Sequence, residues 1–188
     1  QIYDQDEVLG INTREDLEHA AFILEKRMHR PRRHEERNEI AFGTGGWRAV
    51  IGEGFTLHNV RRLCQALANE VTRRGQEERG VLIGFDRRFI SDRSAEAAAE
   101  VFAGNNIPVI LLEEDAPTPL ITYATAEQGA AYGLGFTASH NPPDWNGLKV
   151  FHGDGSLLQD DETRAIEEEV NALETEDVVK IDLDLAVA

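Results

Sequence analysis

Residues 80–112 read GVLIGFDRRFISDRSAEAAAEVFAGNNIPVILL, and this stretch decides the fold class. Its opening, GVLIGFD over 80–86, is a continuous apolar run bounded by turn-forming residues, the pattern of a strand buried on both faces. Ser91 is placed to cap a helix on which Ala95, Ala98, Ala99 and Phe102 form one inward stripe. A second apolar run at 108–112 reads as another buried strand. The same alternation continues on both sides. Upstream, Thr56 opens a helix with Leu57, Val60, Leu63, Cys64, Leu67, Ala68 and Val71 at spacings of three and four, and Gly75 stops it. Downstream come a helix over 118–128, a glycine-rich strand over 132–137, a strand over 147–152, and an amphipathic helix bearing Ile166, Val170 and Leu173. Strands alternating with helices predict a layered α/β domain in which helices flank a mixed, mostly parallel sheet. An earlier helix, capped by Thr13 and striped with Leu17, Ala21, Leu24 and Met28, ends before Pro31 and precedes this domain.

The chain has 188 residues, 41% of them hydrophobic and 29% charged, the composition of a globular domain able to bury a core. Its 35 acidic against 19 basic side chains give a formal charge of -16, which argues against a nucleic-acid partner, since phosphate backbones need a basic face. Much of the acidity lies in 159–188, where eleven acids face only Arg164 and Lys180. A short basic cluster over 26–37 reads as a solvated helix end or linker. No apolar run is long enough to span a bilayer and the start is not that of a signal peptide, so the sequence predicts no membrane association and a cytoplasmic chain. The lone cysteine, Cys64, fits a reducing compartment. A first residue Gln1 and a sole methionine at position 28 suggest an excerpt of a longer protein.

In α/β sheets, ligand sites form where loops leave the carboxyl ends of strands, and two loops carry unusual chemistry. Residues 136–151, FTASHNPPDWNGLKVF, set Ser139 beside His140, stiffen the chain with Pro142 and Pro143, and turn at Asn146 and Gly147 into a strand bearing Lys149. The pattern is a hydroxyl presented on a rigid loop. Ser139 and Asn141 could equally serve only to hydrogen-bond the turn. Residues 42–50, FGTGGWRAV, form the second loop, rich in glycine and carrying Arg48.

Together these residues resemble the α-D-phosphohexomutases, the family of phosphoglucomutase and phosphomannomutase. TASHNP over 137–142 followed by NG-x-K is similar to the family's phosphoserine loop, and FGTGGWRAV resembles its FGTSG-x-RG signature, with Gly45 where Ser is common and Ala49 where Gly is common. Gly84, Asp86 and Arg88 resemble its G-x-D-x-R, and 117–119 its PTP. The resemblance covers residues 40–173 or so. It implies domain organisation with an N-terminal extension over 1–39, the family's first domain over 40–175, and the start of a linker over 176–188.

The resemblance implies an isomerase that moves a phosphoryl group within a sugar phosphate through a bisphosphate intermediate, with Ser139 as the phosphoryl carrier. Lys149 matches the family's general acid or base and His140 is a second candidate. An ordinary lysine, with a pKa of about 10.4, holds its proton too tightly for a base at neutral pH, so a cationic or buried setting has to lower it. Without the motif, Lys149 reads as a solvated strand end. Arg48 is expected to grip phosphate with its planar fork, the alternative being an ion pair with Asp86. Thr44 and Asn141 are expected phosphate contacts, Asp86 and Arg88 an ion pair bracing the site, and Trp47 and Trp145 packing residues. The family's Mg²⁺ is held by a DGD-x-DR loop in a second domain, which this sequence lacks, so only a phosphate oxygen on Ser139 would join the metal shell. Hexose phosphate is the implied substrate, a sugar bisphosphate the activator, and the remaining domains of a longer chain the partners. The choice among glucose, mannose, glucosamine and pentose phosphates is open. A non-catalytic sugar-phosphate or partner-binding module on the same scaffold is the competing reading, and the intact Ser139, His140, Lys149 and Arg48 set argues against it.

Overall fold

A computed structural model describes residues 39–43 and 46–183. The expected helix at Thr13 and the basic cluster over 26–37 lie outside the described residues, as does Thr44. In chain order the elements are β1 (Phe42–Gly43), β2 (Gly46–Val50), α1 (Leu57–Arg73), β3 (Val81–Phe85), α2 (Ser91–Gly104), β4 (Val109–Leu111), α3 (Thr118–Gln128), β5 (Tyr132–Phe136), β6 (Trp145–His152) and α4 (Asp160–Ala172). The strands form one sheet in the order β1-β2-β6-β5-β3-β4.

The α/β class and the mixed sheet stand as expected. The parallel part is confined to β3 with its neighbours β4 and β5, where helical crossovers connect the strands. The pairs β5/β6, β6/β2 and β2/β1 are antiparallel, so the other half of the sheet departs from the mostly parallel expectation. FGTGGWRAV is the reason: it forms the strands of a hairpin, not a free glycine loop, and its second strand lies against β6.

Alternation along the strands sorts the side chains onto two unequal faces. Val81, Ile83, Tyr132, Leu134, Phe136, Leu148 and Val150 join the larger core. There they meet Val60, Leu63 and Leu67 of α1, Ala98 and Phe102 of α2, and Ile166 and Val170 of α4. On the opposite face Leu82 and Phe151 meet Ile121 of α3, with Ala116 and Ala130. That face is lined with small residues so that α3 can lie close. A Cβ at Gly133 would fall 2.1 Å from Thr125 Oγ1, and one at Gly84 2.7 Å from Ile121 Cγ1.

Local signals explain the helix ends. The Thr56 side chain accepts from the Asn59 N–H and caps α1 as expected. Gln159 and Glu162 form a reciprocal capping box at the start of α4. Buried Arg62 donates from Nη2 to the Val170 carbonyl (2.8 Å) and from Nε to the Leu173 carbonyl (3.1 Å), placing a cation at the C-terminal end of α4. The Ser91 cap is a correction. Ile90, at φ 66°, precedes α2 without a side-chain cap, and the buried Ser91 hydroxyl donates instead to Asp86 Oδ1 at 2.9 Å. Beyond α4, Val179 N–H donates to Gln65 Oε1 and Ile181 N–H to the Glu100 carbonyl, so this segment runs along α1 and α2.

Candidate functional site

The register of β2 on β6 places Arg48 opposite Gly147, and period-two alternation puts Lys149 on the same side of the sheet, two residues along. Their neighbours Trp47 and Leu148 point the other way into the core, where Trp47 stacks on Phe55 at 5.1 Å between ring centroids. Trp47 is therefore a packing residue. Gly147 is required by close approach: a Cβ there would lie 2.3 Å from the Trp47 carbonyl and 2.9 Å from Arg48 Cγ. Asn146 and Gly147 were expected to form a turn, yet both lie inside β6. Asn146 is fully buried and donates from Nδ2 to the Phe89 carbonyl (3.0 Å) and to Ser91 Oγ (2.9 Å), while its Oδ1 accepts from the Gly147 N–H.

Lys149 sits partly buried on β6. Burial, and secondarily the positive charge of Arg48, hold its ammonium below the ordinary lysine range. Both causes favour the neutral amine, the form that can accept a proton.

The loop between β5 and β6 carries Ser139 out of the core. Thr137 is nearly buried, its N–H bonded to the Gly147 carbonyl at 3.0 Å, and its Oγ1 accepts from the Ser139 N–H at 3.0 Å. Ser139 and His140 are then exposed. Ser139 has φ 56°, a left-handed backbone that a residue with a Cβ adopts at a cost of about 1–3 kcal/mol and that collects at functional sites. The Asn141 N–H closes the turn onto the Ala138 carbonyl at 3.0 Å, and Asn141 Oδ1 is a buried acceptor without a hydrogen-bond partner among the described residues.

Arg88 reaches across from the loop after β3. Its Nη1 donates to the Pro142 carbonyl at 2.8 Å and the Trp145 carbonyl at 3.0 Å. Its Nη2 donates to the Ser139 carbonyl at 2.8 Å and the Asn141 carbonyl at 2.7 Å. The expected ion pair with Asp86 is present but longer, Nε to Oδ2 at 3.5 Å. Asp86 is better occupied through Oδ1, which accepts from the Arg88 N–H and from Ser91 Oγ, both at 2.9 Å. The G-x-D-x-R stretch is thus a brace between two loops, and the carbonyl contacts of Arg88 are what the sequence reading missed. A signal for them exists: with two prolines the serine loop is short of its own N–H donors, so its carbonyls need a donor from elsewhere.

The donor set does not fit a resident metal. Among the described residues no group of three or more His, Cys, Asp or Glu could hold an ion. Asp154 is engaged by Ser156, whose N–H and Oγ donate to its Oδ1 at 2.9 and 2.6 Å. No helix among the described residues is long and apolar enough to cross a membrane.

Fold and site together define an α/β/α domain that presents a serine loop beside a cationic strand pair. Residues 39–177 match the family model described as phosphoglucomutase/phosphomannomutase, alpha/beta/alpha domain I, and the chain belongs to that family. A phosphoglucomutase of Staphylococcus saprophyticus is 30% identical over 167 residues, covering 85% of this chain and 30% of the relative. A phosphopentomutase of Mus musculus is 32% identical over 144 residues, 70% of this chain and 23% of the relative. The crystal structure of a Thermus thermophilus protein assigned as a phosphomannomutase superposes with a TM-score of 0.66 at 39% identity, covering 70% of this chain and 30% of that one. The chain thus spans less than a third of the length of these relatives.

Proposed function

We propose that this domain carries the phosphoryl group of a sugar-phosphate mutase, with Ser139 as the carrier, acting together with further domains that supply the Mg²⁺ ligands and the contacts to the sugar. Phosphoserine 139 gives its phosphoryl group to a free hydroxyl of a hexose monophosphate. The Oγ–P bond breaks as the sugar O–P bond forms, the hydroxyl proton passes to neutral Lys149, and a proton returns to the serine oxygen. After the bisphosphate reorients, its other phosphoryl group moves back to Ser139 with the protons running in reverse. Arg48 holds phosphate oxygens and disperses the charge that develops on them. His140, Thr44 and Asn141 contribute hydrogen bonds around the transferring group. A sugar bisphosphate primes the serine, and the reaction belongs to cytoplasmic carbohydrate metabolism. Hexose phosphate is the preferred substrate class, since relatives bear phosphoglucomutase and phosphomannomutase names, and the phosphopentomutase among them makes pentose phosphate the second candidate. By itself the domain folds without turning over sugar phosphates.

The observation that supports this reading is Ser139 exposed on a left-handed backbone just beyond β5, the strand paired with the one that carries Lys149, whose proton is loosened by burial and by Arg48. Peptide mass spectrometry on protein made without phosphatase treatment tests it. Phosphate is expected on Ser139, and modification confined to Ser91 or Ser156 would overturn the assignment.

A further inference from the structure

We infer that Arg88 is a positioning residue for the phosphoryl carrier: its guanidinium clamps the backbone of residues 139–145 and keeps Ser139 in the left-handed conformation that presents its hydroxyl. The inference rests on the reading of Ser139 as carrier and deepens it.

The geometry is specific to arginine. Four carbonyls of one short loop, those of Ser139, Asn141, Pro142 and Trp145, converge on two nitrogens of one planar group at 2.7–3.0 Å. Each terminal nitrogen of a guanidinium carries two N–H groups in a fixed fork, so the four contacts use all four of them, and Nε faces Asp86. The Arg88 side chain is only 16% exposed, and its bonds to the Trp145 and Asn141 carbonyls are partly buried while those to Ser139 and Pro142 lie at the exposed side of the loop, so the inner pair anchors the guanidinium and the outer pair reaches Ser139. A lysine has three donors on a single point and cannot serve four acceptors spread along a loop.

The clamp has its own foundation. Arg88 N–H is tied to Asp86 Oδ1, the same oxygen accepts from Ser91 Oγ, and Ser91 Oγ accepts from Asn146 Nδ2 within β6. Both ends of the serine loop are therefore fixed to the segment after β3. A left-handed non-glycine residue persists only where its surroundings over-determine it, and at Ser139 the contact to its own carbonyl comes from Arg88. Without the guanidinium, the carbonyls of Ser139, Asn141 and Trp145 lose the donor that Arg88 gives them, that of Pro142 keeps only the Trp145 N–H, and Ser139 can relax toward a right-handed or extended backbone, swinging its hydroxyl out of line. A displacement on the order of 1 Å costs about a hundredfold in rate when reacting groups must be aligned.

The test uses the full-length enzyme with Arg88→Lys and Arg88→Ala, scored by coupled mutase assay, Ser139 phosphopeptide mass spectrometry, and amide hydrogen exchange over 137–146. Both variants should lose about a hundredfold in kcat with KM for the sugar phosphate changed little, and exchange should quicken at 139–146 while β3 and β5 stay protected. Added guanidinium should restore part of the Arg88→Ala rate without helping Arg88→Lys, whose side chain fills the site. Wild-type kcat in a folded Arg88→Ala protein that still carries Ser139 phosphate would overturn the clamp and leave the carrier reading intact. Should Arg88→Ala fail to fold, Arg88→Lys decides: unchanged kcat and unchanged exchange over the loop refute the inference. Absence of phosphate on Ser139 in the unmutated enzyme refutes the carrier reading instead.

Discussion

The two faces of the sheet divide the labour of this domain. One face is closed by α1, α2 and α4 over a continuous apolar core, and the polar groups buried there are tied to helix ends and loops. Among the described residues the other face is covered by α3 alone over a small core, and beyond that cover it carries Arg48 and Lys149. The difference teaches where each kind of free energy is held. Burial proportional to area stabilises the closed face. The open face keeps a partly buried lysine beside an arginine, an arrangement that costs stability.

Substitutions on the two faces should therefore fail in different ways. Ser139→Ala in the full-length enzyme should abolish mutase turnover while leaving stability within about 0.5 kcal/mol, because an exposed side chain is lost. Phe102→Ala, on the closed face and 0% exposed, should cost about 3–5 kcal/mol and depress turnover only through the unfolded fraction. Denaturant midpoints and coupled-assay rates, measured together for both, decide the matter. Equal loss of stability and rate in Ser139→Ala would make the serine a structural loop residue and erase the distinction.

A pH experiment sharpens the comparison within the open face. Lys149 titrates below the ordinary lysine range, with burial as the larger cause and Arg48 as the smaller. As a base it acts when neutral, so the rate should rise with pH through this lowered value. Arg48→Met removes the repelling charge, favours the ammonium, and should move that limb to higher pH without reaching the value of a free lysine, since burial remains. The height of the profile will also fall, so the position of the limb is the informative quantity. A limb that stays in place would mean that Lys149 is not the titrating group or that Arg48 does not act on it. Stability carries the matching sign. The folded chain binds this proton less tightly than the unfolded chain, so the Lys149 contribution turns more favourable as pH rises from the folded to the unfolded value. Lys149→Met should abolish that dependence.

The closed face was the legible one. An apolar run marks β3, the spacing of Leu57 to Val71 marks α1, and Thr56 announces its cap, because there burial dominates each residue. The run at 108–112 marks β4 but not the burial expected of it, since β4 is an edge strand with Ile110 41% exposed. The open face mixes demands. In FGTGGWRAV the glycines hide a hairpin, since Gly46 and the strand beside it serve close approach to β6 and not a loop. Asn146 and Gly147 look like a turn because that pair favours one, whereas here the glycine clears the Trp47 carbonyl and the asparagine joins two loops. Ser91 looks like a helix cap because serine usually is, and its hydroxyl goes to Asp86. The serine loop itself was legible through TASHNP, but its brace was not. An arginine's partners are backbone carbonyls far along the chain, and the sequence marks them only indirectly, through the two prolines that leave the loop short of N–H donors.

The smallest effect should come from a polar contact on the closed face. Glu162 caps α4 through the Gln159 N–H at 3.0 Å, accepts from Arg74 Nη2 at 3.1 Å, and faces His152 Nε2 at 2.8 Å. Burial pushes its carboxyl up, yet these donors outweigh burial and hold it below the usual glutamate range. A depressed folded pKa stabilises the fold above the unfolded value, and the contribution is lost as pH falls through the folded value. Glu162→Ala removes cap and charge together and should cost about 1 kcal/mol near neutral pH. Glu162→Gln keeps an oxygen for the Gln159 N–H and should cost less, with its deficit confined to the range where the native carboxyl is ionised. Denaturation at neutral and strongly acid pH gives the two deficits, which should shrink in acid for both variants and approach zero for Glu162→Gln. Turnover per folded molecule should match the unmutated enzyme throughout, because Glu162 lies on the face that holds the fold. A fall in that specific rate at full folding would show the closed face reaching into the chemistry, and the division between the two faces would fail.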